Sequence, residues 1–356
     1  LCSDGNDPEV WGMLGAINGQ LGEFEEAIAC FRRSLSIKPD QVRVLFNLAQ
    51  AFLYRKHLQD AVDVYREVIR LSPTCVDAHR NLGFALQSQQ KLDEAIISYR
   101  RVLQLQPDHA AAHSNMLFAL NYHPGRDAKT IFTEHRHWGE IHADNMSQCQ
   151  AHDRVAGVDR QLRIGYISPD LRQHSVAYFF EPLLLHRNAK VIHITCYADA
   201  GVEDETTLRL KRLSDRWHKI TDLPDREVFE LIRSDQIDIL VDLAGHTANN
   251  RLLVFARGPA PVQITYLGYP TTTGLKTMEY RLTDAWVDPP GKTEELYTET
   301  LLRLPGGFLC YQPPAETPPV SPPAENRSGH ITFGSFNNLT KITPQVVSLW
   351  ARILQL

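Results

Sequence analysis

The sequence predicts a solenoid of paired helices followed by an α/β lobe that contains a parallel sheet. Three observations lead to this fold class: a 34-residue internal repeat in the first third, an alternation of short apolar runs and helical patterns from Leu162 onward, and polar loops after several of those runs. The chain has 356 residues, which is enough for two or three domains.

The repeat is visible in prolines, alanines and leucines that recur every 34 residues, for example Pro39, Pro73 and Pro107. This period is the spacing of tetratricopeptide repeats, whose helix pairs must stack on neighbours to bury their apolar faces. We therefore predict an α-solenoid over residues 7–123, with three full units and the beginning of a fourth at His109.

One polar position recurs with the same period, as Asn47, Asn81 and Asn115. Asparagine is a poor helix former, so its place in the middle of predicted helices needs a reason. On the inner face of a solenoid, these amides would bind the backbone of an extended protein substrate. Alternatively, each asparagine caps or packs within its own repeat. Tetratricopeptide repeats by themselves indicate only a protein-interaction module.

Composition narrows the classes of function. A formal net charge of -5 argues against a nucleic-acid-binding protein. No apolar run approaches the ~18 residues that span a bilayer, and no secretion leader is recognisable, which favours a cytoplasmic location, or also a nuclear one if the source is a eukaryote. The six cysteines are scattered and form no C-x-x-C pair, so we expect reduced thiols.

Residues 124–160 are predicted to form a connector helix whose apolar stripe contains Phe132, Trp138 and Ile141. The histidines of this segment form a loose pattern without a carboxylate at fixed spacing, and we therefore expect no metal site. These histidines are His135, His137 and His142.

Residues 161–312 alternate between apolar runs and helical patterns, which is typical of a parallel sheet covered by helices on both faces. The predicted strands are Leu162–Ile167, Val191–Tyr197, Ile237–Leu243, Pro261–Leu267 and Arg281–Thr283. In such sheets, ligands bind at the carboxyl ends of the strands. The loops expected there carry histidines and hydroxyl groups suited to a reaction site, and they are Ser168–Ser175, Ala244–Arg251 and Gly268–Gly274.

Residues 313–328 are predicted to be a linker, because six prolines lie within Pro313–Pro323. Residues 329–356 are predicted to begin a second α/β lobe, with a strand at His330–Ser335 and a helix from about Pro344. One strand and part of a helix cannot form a domain, so we expect this lobe to be truncated and the segment alone to be inactive.

Several short motifs occur in a specific order along the chain: IGYISPD at 164–170, GHT at 245–247, PAPVQ at 259–263, LGYP at 267–270 and FGSFNN at 333–338. Together with the repeats, this set resembles the O-GlcNAc transferase and SPINDLY family of protein O-glycosyltransferases, from about residue 7 to residue 356. One departure is Gly258, where the family usually has arginine, although Arg257 precedes it.

The resemblance implies a two-lobed fold of the GT-B type with two Rossmann-like halves. It implies inversion at the sugar carbon, no essential metal, and no cofactor besides the nucleotide-sugar donor. The implied acceptors are Ser and Thr hydroxyl groups of intracellular proteins, which the repeats would bind. UDP-GlcNAc is the favoured donor, with GDP-fucose as the alternative. A non-catalytic tetratricopeptide scaffold is a further alternative, but the polar cluster at the strand ends favours an enzyme.

The resemblance also assigns roles to single residues. His174 matches a position proposed to act as a base or to orient the acceptor. Lys341 matches a contact to the donor diphosphate, and Asn338 matches a position beside the nucleotide. The strand-end loops add three candidates, which are His246 for catalysis and Thr273 and Gly274 for donor binding.

Overall fold

The computed structural model describes residues 7–146, 160–313, 317–323, 326, 329–337 and 341–355. The chain divides into two compact units. Residues 127–337 form one of them, and residues 1–126 with 338–356 form the other.

The predicted repeats are confirmed as antiparallel pairs of helices with closely similar lengths. These helices are α1 (Pro8–Leu21), α2 (Phe24–Ile37), α3 (Val42–Tyr54), α4 (Leu58–Leu71), α5 (Val76–Ser88), α6 (Leu92–Leu105) and α7 (Ala110–Tyr122). Gly15 and Gly83 allow the helices of a pair to approach closely. A Cβ at Gly15 would lie 2.6 Å from the Phe31 ring, and one at Gly83 would lie 2.7 Å from the Tyr99 ring. The small residues of the repeat therefore accommodate the aromatic residues of the partner helix.

The unit formed by residues 127–337 contains a seven-stranded sheet. Its strands are parallel, as the sequence predicted. Its strands are β1 (Leu162–Ser168), β2 (Ile192–Ala198), β3 (Arg216–Lys219), β4 (Ile239–Asp242), β5 (Val262–Thr265), β6 (Tyr280–Thr283) and β7 (Thr300–Arg303). The strand order is β3-β2-β1-β4-β5-β6-β7. The chain therefore places β2 and then β3 on one side of β1. It then places β4, β5, β6 and β7 in succession on the other side. This is the arrangement of a Rossmann-like fold.

The helices of this unit are α8 (Ala128–His142), α9 (Ser175–His186), α10 (Glu205–Leu213), α11 (Asp225–Ser234) and α12 (Leu252–Phe255). Phe180 of α9 and Leu210 of α10 are fully buried in one core with Ile194 of β2 and Val241 of β4. This core packs α9 and α10 against the central strands of the sheet.

Two strands were not predicted from the sequence, namely β3 and β7. Each has only four residues, and both contain charged side chains, so neither forms a recognisable apolar run. Both lie at the edges of the sheet, where a strand has only one neighbour and one ladder of backbone hydrogen bonds.

The predicted strand at His330–Ser335 is wrong. Residues 331–336 are coil, and Phe333 and Phe336 are exposed. A strand requires a partner for its backbone hydrogen bonds, and the described part of the chain provides none for this segment. The helix predicted from about Pro344 is confirmed as α13 (Pro344–Ile353).

The described portion of the proline-rich linker, residues 317–323, is exposed coil. Within the described residues, no helix is both long enough and apolar enough to cross a bilayer. The cysteines in those ranges are free thiols, namely Cys30, Cys75, Cys196 and Cys310.

Candidate functional site

The candidate site lies at the carboxyl ends of β1 and β4, between which the order of strands in the sheet reverses. β1 and β4 are neighbours, and their paired residues run to Ile167 opposite Asp242; the next pair along, β4 and β5, runs to Asp242 opposite Thr265. The loops after these three strands therefore leave the same edge of the sheet side by side. In open α/β sheets, ligands bind at such a switch point.

His174 ends the loop after β1 and is the N-cap residue of α9. Its Nδ1 accepts a hydrogen bond from the backbone N–H of Val176 at 3.3 Å. In a neutral imidazole with Nδ1 as acceptor, Nε2 carries the proton and is a donor. The side chain is 36% exposed. His174 is thus an accessible ring at the predicted edge, in the tautomer that donates from Nε2.

Asp170 is the acidic neighbour of His174, with Oδ2 3.7 Å from Nδ1 of the histidine. Burial raises the pKa of Asp170 above its ordinary value, and electrostatic interactions with Arg172 and with the His174 ring only partly offset this effect. The separation is too long for a hydrogen bond. Asp170 therefore influences His174 through its charge rather than through a hydrogen bond.

His246, after β4, is completely buried. Its Nε2 donates to the carbonyl oxygen of Thr273 at 2.8 Å, and its ring packs edge-on against Trp138 with centroids 4.8 Å apart. This geometry makes His246 a link between the loops after β4 and β5. A direct catalytic role for His246 stays a prediction.

The loop after β5 is also held from within the unit. Thr273 donates its backbone N–H to Glu299 Oε1 at 2.7 Å, and its hydroxyl group donates to the same carboxylate. Arg281 donates to the carbonyl oxygens of Tyr269 and Thr271, both at 3.0 Å. The Thr273 side chain is fully buried. Donor binding by Thr273 and Gly274 stays a prediction.

The connector helix α8 contributes to this site in a way that the sequence did not indicate. His135 Nδ1 donates to the carbonyl oxygen of Ile131 at 2.7 Å, and its Nε2 accepts from the Tyr269 hydroxyl group at 2.9 Å. Burial lowers the pKa of His135 to about 4, so the ring is neutral at physiological pH. The predicted apolar stripe was wrong for Ile141, which is 44% exposed, while His135 is fully buried.

Two glycines allow α8 to contact the loop after β5 backbone to backbone. A Cβ at Gly139 would lie 2.1 Å from the carbonyl oxygen of Gly274, and one at Gly274 would lie 2.1 Å from the carbonyl oxygen of His135. Gly274 also has a φ of +75°, which favours glycine. The close approach of these two segments therefore requires a glycine on each side.

Arg251 connects the loop after β4, on which it lies, with two further loops at the same edge, those after β2 and β3. Its Nε lies 2.7 Å from Asp199 Oδ2, after β2, and its Nη1 lies 2.8 Å from Asp225 Oδ1. The guanidinium also donates to the carbonyl oxygens of Ile220 and Leu223. All these partners are acceptors with fixed positions, so Arg251 holds the loops after β2, β3 and β4 in one arrangement.

The remaining described candidates belong to the other unit. Lys341 is exposed and stands three residues before the first residue of α13. Asn338 falls outside the described residues. The three asparagines of the repeats are all half-buried. Asn81 Nδ2 donates to the Tyr65 hydroxyl group at 3.1 Å, whereas Asn47 lines a groove of about 600 Å³ between α1 and α3. One amide thus packs within the repeats and another borders an open groove.

Gly258, the departure from the family motif, has a φ of +66°, and a Cβ there would meet no atom within 4 Å. Glycine suits this backbone conformation, which strains other side chains. In the described ranges, no group of three or more His, Cys, Asp or Glu side chains is placed to hold a metal ion.

Comparisons with known proteins add to this geometry. The sequence profile of glycosyl transferase family 41 matches residues 102–312, and that of the tetratricopeptide domain of cytochrome c-type biogenesis protein H matches residues 1–112. The chain is 45% identical over 234 residues to the probable UDP-N-acetylglucosamine–peptide N-acetylglucosaminyltransferase SPINDLY of Oryza sativa subsp. japonica. The aligned region covers 65% of this chain and 25% of the relative.

A second relative is the UDP-N-acetylglucosamine–peptide N-acetylglucosaminyltransferase of Caenorhabditis elegans, which is 33% identical over 172 residues, 48% of this chain and 14% of the relative. Among solved structures, a mutant of the Thermobaculum terrenum O-GlcNAc transferase superposes with a TM-score of 0.86 and 35% identity, over 98% of this chain and 66% of that chain. The chain thus spans about a quarter or less of the length of these curated relatives.

Proposed function

The chain belongs to glycosyl transferase family 41, and on this basis we propose that it is part of a protein O-glycosyltransferase that transfers one sugar from a nucleotide sugar to Ser and Thr hydroxyl groups. The observation that carries the proposal is the position of His174, on the N-cap of α9 beside buried Asp170, at the switch point of the sheet. An accessible histidine at this edge suits a reaction in which a hydroxyl group must be oriented and lose its proton.

The transfer is an inverting displacement. The acceptor oxygen forms a bond to the anomeric carbon, the bond from that carbon to the diphosphate oxygen breaks, the nucleoside diphosphate departs as an anion, and the hydroxyl proton passes to water. With Nδ1 accepting from Val176, the Nε2–H of His174 donates to the acceptor oxygen and orients it. To take up the proton at Nε2, the ring would first need a proton on Nδ1, with Asp170 as its partner. We therefore assign His174 primarily to orientation of the acceptor, and we propose a metal-independent reaction, as the family resemblance implies.

UDP-GlcNAc is the proposed donor, supported by the names of the related proteins. GDP-fucose is the second candidate, because the motifs of the chain resemble those of SPINDLY-type members. The test is to incubate the purified protein that carries this chain with each labelled donor and a Ser/Thr acceptor protein. Transfer from UDP-GlcNAc alone supports the proposal, and transfer from GDP-fucose alone makes the protein a fucosyltransferase. Transfer from neither donor refutes an enzyme and favours a scaffold.

Protein substrates are proposed to bind along the repeats, at the asparagine series Asn47, Asn81 and Asn115. Each amide that binds a substrate backbone would contribute about 1 kcal/mol. Replacing all three with alanine should raise KM for long protein substrates and leave short peptides unchanged. Tyr65→Phe is the matched control, because it removes the intramolecular partner of Asn81 and keeps the amide. An equal loss for proteins and short peptides would contradict this role.

A further inference from the structure

The loop that carries His174 is held by the first turn of α10. The carbonyl oxygen of Leu171 accepts from the Thr207 hydroxyl group at 3.0 Å, and the backbone N–H of Gln173 donates to Asp204 Oδ2 at 2.6 Å. The two hydrogen bonds lie on either side of Arg172, and the second is one residue before His174. Asp204 and Thr207, which we call the α10 clamp, thus fix the backbone that leads into the histidine.

The α10 clamp is itself a rigid unit. Asp204 is the N-cap of α10, and its Oδ1 accepts from the backbone N–H of Thr207 at 2.8 Å. In return, the Thr207 hydroxyl oxygen accepts from the backbone N–H of Asp204 at 3.3 Å, which completes a capping box. The hydrogen bond from Gln173 is the main reason that the pKa of Asp204 is lowered. One carboxylate therefore serves the helix with one oxygen and the loop with the other.

The His174 ring depends on this backbone for its position. Among the described residues, the hydrogen bond seen at the ring is the long one from the N–H of Val176, and the side chain is 36% exposed. The backbone that carries the ring therefore sets its position, and a shift of the loop moves it. A displacement of about 1 Å at a group that positions a substrate can cost about 10²-fold in rate.

We propose that Asp204 and Thr207 are positioning residues for the acceptor reaction, acting through the backbone of Leu171–Gln173 on His174. This proposal rests on the proposed function. The contrasting interpretation is that the two residues only cap α10. Asparagine separates these possibilities at position 204, because it is an equally good N-cap. Its single carbonyl oxygen can still accept from Thr207, but its amide NH₂ is a donor and cannot accept from Gln173.

The experiment compares Asp204→Asn and Thr207→Val with the wild-type protein that carries this chain, in steady-state sugar transfer at varied donor and acceptor concentrations. We expect kcat/KM for the acceptor to fall about 10-fold or more while KM for the donor stays unchanged. Thr207→Ser retains the hydroxyl group and should recover most of the rate. Asp7→Asn is the matched control, since it makes the same exchange at the N-cap of α1 in the repeats.

A double-mutant cycle with His174→Ala then tests the route of the effect. If the clamp acts through His174, Asp204→Asn should cause little further loss once the histidine is absent. Equal losses with and without His174, or a wild-type rate for Asp204→Asn, would overturn the proposal and leave the clamp as a helix cap.

Hydrogen exchange of residues 171–176 provides a measurement that needs no activity, and it should be faster in Asp204→Asn than in wild type. Unchanged exchange would mean that Asp204 does not hold the loop, whatever the activity. A wild-type protein that transfers no sugar would refute the proposed function and with it the positioning role, even if exchange shows that the clamp holds the loop.

Discussion

Gly139→Ala is a direct test of the contact between α8 and the loop after β5. The new Cβ would lie 2.1 Å from the carbonyl oxygen of Gly274, whereas non-bonded heavy atoms are at their best separation near 3.5 Å. Both partners are backbone, so no side chain can rotate away, and the two segments must separate by more than about 1 Å. Forced overpacking of this kind costs up to about 3 kcal/mol. The better helix propensity of alanine offsets about 1 kcal/mol, which leaves a net loss of about 2 kcal/mol.

The assay is differential scanning calorimetry, with hydrogen exchange assigning each transition to one of the two units. A loss of about 2 kcal/mol should lower the melting temperature of the unit formed by residues 127–337 by about 4–8 °C. The matched control is Gly19→Ala in α1, where a Cβ would meet no atom within 4 Å and the variant should be as stable as wild type or more so. If Gly139→Ala melts at or above the wild-type temperature, the close contact is not a constraint on this fold.

Three further predictions concern single residues. Because burial lowers the pKa of His135 to about 4, the unfolded chain binds a proton that the folded unit does not, so stability should fall from about pH 6.5 to about pH 4 by about 3 kcal/mol in total. Denaturant titrations should show a smaller pH slope in His135→Gln, and equal slopes would contradict the neutral buried ring. His174→Ala should lower the rate of transfer about 10²-fold without changing donor affinity, whereas a near-normal rate would make the histidine structural. Lys341→Met should abolish most transfer while protein substrates still bind the repeats, because the charge on the donor diphosphate would lose its partner; a wild-type rate would exclude this role.

The sequence was sufficient for the features that depend on local periodicity. The 34-residue spacing of Pro39, Pro73 and Pro107 predicted the helix pairs, because each repeat forms the same local structure and meets the same neighbour. The order of apolar runs predicted the central strands, and the rule that parallel strands end at one edge brought together the loops that contain His174 and His246.

Other features required the tertiary structure because they depend on contacts between residues far apart in the chain. His135 and Tyr269 are 134 residues apart, and no periodicity within α8 could show that the histidine side of that helix, rather than Ile141, is buried. The same holds for Glu299, whose buried carboxylate holds Thr273, and for the Asp204 carboxylate, which binds the loop before His174. The sequence by itself determined which loops carry the candidate site residues, because side-chain type and the succession of strands along the chain are local properties. Only the tertiary structure decided which of those side chains remain accessible and which are held in place, because burial and hydrogen-bond partners come from distant segments that meet only after folding.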